Sequence, residues 1–426
     1  MKNIGIGERA LITGLGFITP IGNEAATVET NLRRGQHGLS PIEIYGNPEL
    51  PVKLAGQVSG FNVEGAFYRN WTWPEKYSIP RETLRGLAPH GVYAICALEQ
   101  ALADAMLTPE SVANHDRTGL FCASAGSGLM IYENAVKMVA ARGERGNPMG
   151  LVASVAGTLN FNLAAYFRIT GAVCGFVSAC ASSSHALGYA LDEIRLGRLD
   201  RVLIVGAEDV NAESLLPFAA MRALSAASDP IKACCPFDAS RQGFVGAGGA
   251  AALILERASS ALKRGARVYA ELAGWGQAAD GYSVASPHPE GLGLQTAMKR
   301  ALADAGVHPS EVEYINAHAT STVIGDRAEA LALQKVFAGH FPRVSSTKGL
   351  TGHTLSMAGA LETGICALSI ANGFIPGNAH LRVPDEACAG MNIPIETVCE
   401  TPRTVLSNSS GFGGSNVCQV LRQFEA

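Results

Sequence analysis

The sequence predicts a layered α/β protein built from two similar halves that meet near residue 258. Three observations carry that expectation. Runs of branched apolar residues such as Arg201-Val-Leu-Ile-Val-Gly-Ala-Glu208 alternate with longer stretches of helical spacing, as strands covered on both faces by helices do. Only 16% of the 426 residues are charged and 47% are hydrophobic, which suits a compact core rather than a disordered chain. The order of elements also restarts. Arg267-Val-Tyr-Ala-Glu-Leu-Ala-Gly-Trp-Gly276 parallels the opening strand, an expected helix at 292–306 parallels one at 83–105, and Glu313-Tyr-Ile-Asn-Ala-His318 parallels the strand at 118–123. The repeat is one of elements, not of residues, and divides the chain into 1–257 and 258–426.

In order, Arg9-Ala-Leu-Ile-Thr-Gly-Leu-Gly-Phe-Ile-Thr-Pro20 reads as a buried strand turning at Gly14 and Gly16. Its G-x-G is half a dinucleotide fingerprint; the third glycine is missing, which disfavours nucleotide binding. Residues 22–35 read as helix and 40–80 as an irregular stretch whose aromatics (Phe61, Phe67, Tyr68, Trp71, Trp73) belong in the core. Leu87, Val92, Ile95, Leu98 and Leu102 mark the helix at 83–105. Thr118–Gly128 reads as a strand ending in a small-residue loop, followed by a Gly- and Arg-rich loop at 141–149 and a helix at 151–168. After 201–208 come a loop at 236–249, a strand at 250–256 and a basic helical connector at 258–265. A helix at 354–371 and a final strand at 403–408 complete the second half.

The net charge of −4 provides no global basic field, so nucleic acid is not expected as a partner and any anionic partner must meet a local patch. The ten cysteines form no C-x-x-C pair, and no apolar run reaches the roughly 18 residues of a membrane span. Met-Lys-Asn-Ile-Gly-Ile-Gly lacks the apolar core of a signal peptide, so a reducing, cytoplasmic setting is expected.

The chemistry centres on Gly175-Phe-Val-Ser-Ala-Cys180-Ala-Ser-Ser-Ser-His185. A strand-like lead-in runs into Cys180, and Leu187, Leu191 and Ile194 mark the buried face of a helix opening just beyond it. A helix start favours thiolate, so a lowered thiol pKa is expected; a buried, inert thiol is the ordinary alternative. His318 and His353 each stand where a strand or loop gives way to a small-residue turn, so loops at one sheet edge are expected to bring them to Cys180. A cysteine with two imidazoles permits nucleophilic catalysis. Lys348, if buried, needs a carboxylate partner, and Glu362 on the following helix is available. Gly411, Gly413 and Gly414 around Phe412 suit a loop whose N–H groups point at an oxyanion. A zinc site from Cys180, His318 and His353 lacks paired ligand spacing, and no metal is expected.

These motifs resemble a β-ketoacyl-acyl carrier protein synthase, nearest to synthase II, over essentially the whole chain. The resemblance rests on Ser178-Ala-Cys180-Ala-Ser-Ser, Pro236-Phe-Asp238, Asn316-Ala-His318, Thr320-Ser-Thr322, Gly325-Asp326, Ser345-Ser-Thr-Lys348, Thr351-Gly-His353, Ala358-Gly-Ala-Leu-Glu362 and Asn408 with Gly411-Phe-Gly-Gly414. It implies the thiolase fold, two βαβαβαββ halves in a five-layered αβαβα arrangement. It implies decarboxylative condensation of an acyl group on Cys180 with malonyl-acyl carrier protein, with no cofactor beyond the carrier's phosphopantetheine. His318 and His353 would assist decarboxylation, the N–H groups of Cys180 and Phe412 would form the oxyanion hole, and Phe412 would be the gate. Lys348 and Glu362 would pair in support, Thr320 and Thr322 would hold the pantetheine arm, and Leu129 would flank the acyl pocket. The protein would be a homodimer, or a heterodimer with a related ketosynthase-like subunit.

The departures are specific. Ala319 replaces the usual glycine after the first histidine, and Ser410 one of two phenylalanines in the usual Asn-Ser-Phe-Gly-Phe-Gly-Gly. Cys235 stands for an arginine, Gln242 for an aspartate and Ala247 for a glutamate. None removes a catalytic group, and together they point to a specialised synthase. The competing readings are a non-catalytic partner like a chain-length factor, against which Cys180 argues, and a Cys–His hydrolase. An acidic carrier protein would dock on a basic patch at the cavity mouth, with Arg222, Arg81 and Arg85 as candidates.

Overall fold

The computed structural model describes residues 8–63, 65–143, 147–155 and 157–425. Its strands are β1 (Ala10–Ile18), β2 (Leu39–Pro41), β3 (Leu54–Gly56), β4 (Thr118–Ala123), β5 (Val173–Phe176), β6 (Arg201–Glu208), β7 (Gly249–Arg257), β8 (Ala270–Ala279), β9 (Tyr314–Asn316), β10 (Arg343–Ser345), β11 (Thr404–Gly411) and β12 (Ser415–Arg422). Ten of them join in the order β10-β9-β11-β12-β8-β1-β7-β6-β4-β5, while β2 and β3 pair alone. Outward from the β8–β1 junction the two sides match strand for strand. On one side β1–β7 and β7–β6 are antiparallel, then β6–β4 and β4–β5 parallel. On the other β8–β12 and β12–β11 are antiparallel, then β11–β9 and β9–β10 parallel. The two half-sheets join along β1 and β8 by three residue pairs, Ala10 with Leu272, Leu11 with Glu271 and Ile12 with Ala270.

Two helices fill the space between the half-sheets. Ser182–Arg195 and Ala358–Asn372 pack on each other and on strands from both sides. Every residue from Ala358 to Ile370 is buried, and a helix covered on all its faces, with Glu362 paired to Lys348, belongs inside a core. The stretch Leu355–Asn372 has the length and hydropathy of a membrane span, but 89% of it is enclosed by the protein. On the outer faces Pro89–Asp104 covers β1, β6 and β7, and Leu292–Ala305 covers β8 and β12. The result is the five-layered αβαβα arrangement.

Several expectations are corrected. Gly14 and Gly16 do not turn the chain; β1 runs through both. A Cβ at Gly16 would lie 1.9 Å from the Ala97 carbonyl oxygen, so this glycine admits a helix onto the strand rather than a phosphate. The helix expected at 151–168 is two, Gly150–Ser154 and Leu159–Phe167. The helices Gly128–Ala140, Ala212–Ala220 and Val323–Val336 escaped the reading, as did β12, which returns β11 as a hairpin. Among the aromatics of 40–80, Trp71 is buried but Phe67 lies 57% exposed. The N-terminal heptapeptide and part of the 141–149 loop lie outside the described residues.

Candidate active site

Cys180 is presented by a tight turn. Beyond β5, Ala179 adopts a left-handed φ of 51°, a conformation that costs a non-glycine residue about 1 kcal/mol. The turn is fastened by Ser178 N–H donating to Ser182 Oγ at 2.8 Å and by Ser182 Oγ–H donating to the Ala179 carbonyl at 2.6 Å. The helix Ser182–Arg195 then begins two residues past the thiol.

The histidines arrive from the other half. His353 N–H donates to the Val245 carbonyl (2.8 Å), and its own carbonyl accepts from Ala247 N–H (2.9 Å), so the Val245–Ala247 segment clamps its backbone. Its Nε2 lies 3.0 Å from Cys180 Sγ. His318 follows β9, and its ring stands edge-on to that of His353, centroids 5.3 Å apart. One ligand atom each from Cys180, His318 and His353 falls within 4.8 Å of the others. Such a trio has the right elements for a metal, yet among the described residues Nδ1 of neither ring has a hydrogen-bond partner of the kind that orients metal-binding imidazoles.

Burial sets the charge states. It holds both imidazoles well below their ordinary 6.5, with the Lys348 ammonium adding to the effect. It pushes the Cys180 thiol up to about 12; Lys348 opposes the rise, while Glu208 and Glu362 reinforce it. The expected lowering of this thiol by the helix start is therefore overturned, because desolvation of a thiolate outweighs the first helical turn. Lys348 and Glu362 are both almost fully buried and bonded to each other, ammonium to carboxylate. Burial raises the Glu362 carboxyl and Lys348 counteracts it.

One cavity of about 400 Å3 collects these groups. Cys180, His318, His353, Thr320, Thr322 and Phe412 line it, as do Arg222 and three of the departure residues, Gln242, Ala319 and Ser410. Lys348 and Glu362 sit behind it. Leu129, expected beside the acyl pocket, does not line it; it is buried in the helix Gly128–Ala140, and Arg81 and Arg85 are likewise absent from the wall. Ala247 packs behind the His353 loop. A Cβ at Gly411 would lie 2.8 Å from the Ser178 oxygen and 3.0 Å from the Cys180 nitrogen, so glycine there lets the Phe412 loop close against the nucleophile's backbone.

Two family models match this chain: "Beta-ketoacyl synthase, N-terminal domain" over residues 8–261 and "Beta-ketoacyl synthase, C-terminal domain" over residues 269–382. The chain belongs to the β-ketoacyl synthase family. It is 36% identical over 424 residues to the 3-oxoacyl-[acyl-carrier-protein] synthase 1 of Escherichia coli, covering 98% of this chain and 100% of that one. A solved beta-ketoacyl synthase from Burkholderia phymatum superposes with a TM-score of 0.89 at 31% identity, over 98% of this chain and 100% of the other. A type II polyketide synthase acyl-carrier protein in complex with its ketosynthase bound to the hexaketide gives 0.85 at 28%, over 98% and 99%. The fold is thus the thiolase fold of the ketosynthases, and the protein an enzyme of the acyltransferase class.

The family motifs of this ketosynthase divide into lining and scaffold. Asp326 accepts from Phe237 N–H (2.8 Å) and Ser321 N–H (3.0 Å) and faces Arg241 at 3.4 Å, so Pro236-Phe-Asp238, Arg241 and Asp326 hold the Thr320–Thr322 turn from outside the cavity, while Gly325 is on its wall. Sequence reasoning missed Glu329, which anchors the His318 turn, and Phe218, whose ring links Phe412 (5.9 Å) to Phe244 (5.4 Å) and so to His353 (5.2 Å). Glu329 was findable only through its helix. Exposed Val323 and Ile324 at its start blur the apolar periodicity there.

Proposed function

We propose that this ketosynthase condenses an acyl group with malonyl-acyl carrier protein, yielding 3-oxoacyl-acyl carrier protein and CO2. The observation that carries the reading is Cys180 Sγ at 3.0 Å from His353 Nε2 in a cavity shared with His318. With the thiol neutral and His353 neutral, the attack on the acyl thioester proceeds as the S–H proton passes to Nε2 and on to the departing pantetheine thiol. The N–H groups of Cys180 and Phe412 receive the oxyanion.

In the second half-reaction, Nε2–H of His318 and of His353, whose ring proton has by then exchanged through solvent from Nδ1 to Nε2, donates to the malonyl thioester oxygen. The carbon–carboxylate bond breaks, CO2 leaves, and the released electron pair attacks the acyl carbonyl. The bond to sulfur then breaks, and the Cys180 thiolate takes up from solvent, by way of His353 Nε2, the one proton that the condensation consumes. Neutral histidines suit this step, because each must donate one hydrogen bond without holding a full charge in a dry cavity. Thr320 and Thr322, whose hydroxyls lie 3.1 Å apart on the wall, would hold the pantetheine arm. The Lys348–Glu362 pair positions the His353 loop from behind. No further cofactor enters the reading.

The carrier protein would dock at the mouth beside Arg222, the cation on the cavity wall. The exposed apolar side chains Ile131, Tyr132, Val136 and Val139 on the helix Gly128–Ala140 favour a second ketosynthase-type subunit, and the boundary near residue 258 is read as the division between the two halves of each.

Purified protein incubated with acyl- and malonyl-carrier protein tests the reading. Acylated Cys180 by intact mass and a 3-oxoacyl product are expected, with both lost in Cys180→Ala. Unacylated Cys180 and no product would overturn it. A product unchanged in Cys180→Ala, made with a co-expressed partner synthase, would instead establish the non-catalytic subunit.

A further inference from the structure

We infer that the wall around Ser410 is a subsite for a small, hydrogen-bond-donating substituent on the α-carbon of the extender unit, a hydroxyl above all. The inference rests on the condensation reading above. Ser410 lies on β11 between Ser409, whose hydroxyl turns inward to Ser184 at 2.7 Å, and Gly411, which closes on Cys180. Alternation along the strand therefore turns Ser410 the other way, onto the wall of the cavity that holds the three reacting side chains. The family resemblance leads one to expect phenylalanine here, and a ring at this position would project into the cavity.

The replacement is organised as well as smaller. Across the hairpin Ser410 pairs with Asn416, and its hydroxyl lies 2.7 Å from Asn416 Oδ1. Asn416 Nδ2 donates to Asp280 Oδ1 at 2.9 Å, and because that carboxylate only accepts, the amide orientation is set. Ser410 must then donate to Oδ1, which leaves its own lone pairs free to accept. Asp280 is itself held by Gly293 N–H at 3.1 Å and His288 N–H at 3.0 Å. Asp280 and Asn416 share the cavity wall with apolar Leu294 and Ala328. A chamber built only for an unsubstituted methylene would not need a preorganised acceptor there.

The test loads malonyl, methylmalonyl and hydroxymalonyl groups on carrier protein and follows single turnover of acylated enzyme. Hydroxymalonyl is expected to condense, and Ser410→Phe to cut the ratio of hydroxymalonyl to malonyl turnover by about tenfold or more, the scale of discrimination by a filled pocket. Ser410→Ala keeps the space and removes the acceptor, so it should lower hydroxymalonyl relative to methylmalonyl. Protection of Cys180 from iodoacetamide by the unreactive pantetheine amides of the same acids reads binding without turnover. Malonyl turnover with no hydroxymalonyl turnover, an unchanged ratio in Ser410→Phe, or equal protection in wild type and Ser410→Phe would each overturn the subsite. Failure of condensation with every extender would sink the function reading alone, since selective protection would still reveal the subsite.

Discussion

The Glu329 carboxylate receives the backbone N–H of His318 at 3.0 Å and that of Ala319 at 2.7 Å, one on each oxygen. The Asn408 amide adds a third bond at 3.1 Å. The His318 loop is thus held through its backbone by a side chain of the helix Val323–Val336. Glu329→Gln would replace one accepting oxygen with a donor facing an N–H, an unsatisfied buried pair costing about 1–3 kcal/mol. Condensation is expected to fall about tenfold or more while acylation of Cys180 persists, because only the second half-reaction needs His318 in place. Rapid-quench measurement of the two half-reactions separates them, and equal losses would argue against it.

The Cys180 thiol, pushed up to about 12 by burial, should show no thiolate plateau near neutrality. Its alkylation by iodoacetamide is expected to climb continuously with pH to at least about pH 9. A plateau reached below neutrality would mean that a stable thiolate is present.

Breaking the Lys348–Glu362 pair leaves an uncompensated charge in a fully buried place. Lys348→Met or Glu362→Leu alone is expected to cost about 3–5 kcal/mol in urea unfolding, and the double variant far less than the sum. Additive losses would show that the two groups do not act as a pair.

His318 and His353 also give stability a pH dependence. Their folded pKa values lie well below the ordinary 6.5, so below that pH the unfolded chain binds more protons than the folded one. Stability is therefore expected to fall as pH drops below about 6.5, with His318→Asn and His353→Asn each flattening the slope. Denaturant midpoints measured at successive pH values check the sign.

Gly411→Ala would place a methyl 3.0 Å from the Cys180 nitrogen. Both half-reactions are expected to slow about tenfold or more, since the proposed oxyanion donors are displaced in each, and the melting temperature should fall as well, because the Ser178 carbonyl 2.8 Å away is backbone and must shift. Undiminished acylation would show that the loop can yield.

How much was legible follows from the range of each interaction. Cys180, His318, His353, Thr320 and Thr322 sit at ends of strands or in tight turns, where local residue choice is constrained by backbone geometry. Their motifs therefore mark them without a structure. The thiolase fold followed from the motifs, and the repeat of elements agreed with it. The Lys348–Glu362 pair was also within reach, because a buried lysine demands a carboxylate and one stands on the next helix.

Other features depended on what lies across space. Gly16 is a glycine because the Ala97 carbonyl oxygen is 1.9 Å from where its Cβ would be, and Leu129 is buried on a helix that does not line the cavity holding Cys180. Glu329 earns its place only by reaching two N–H groups of a loop that precedes its own helix. The pKa of Cys180 changed direction for the same reason: a helix start is visible along the chain, but desolvation by two half-sheets and their inner helices is not. The sequence by itself determined which atoms could react. The tertiary structure decided how they are charged and held, because burial and contact between distant segments have no signature in local order.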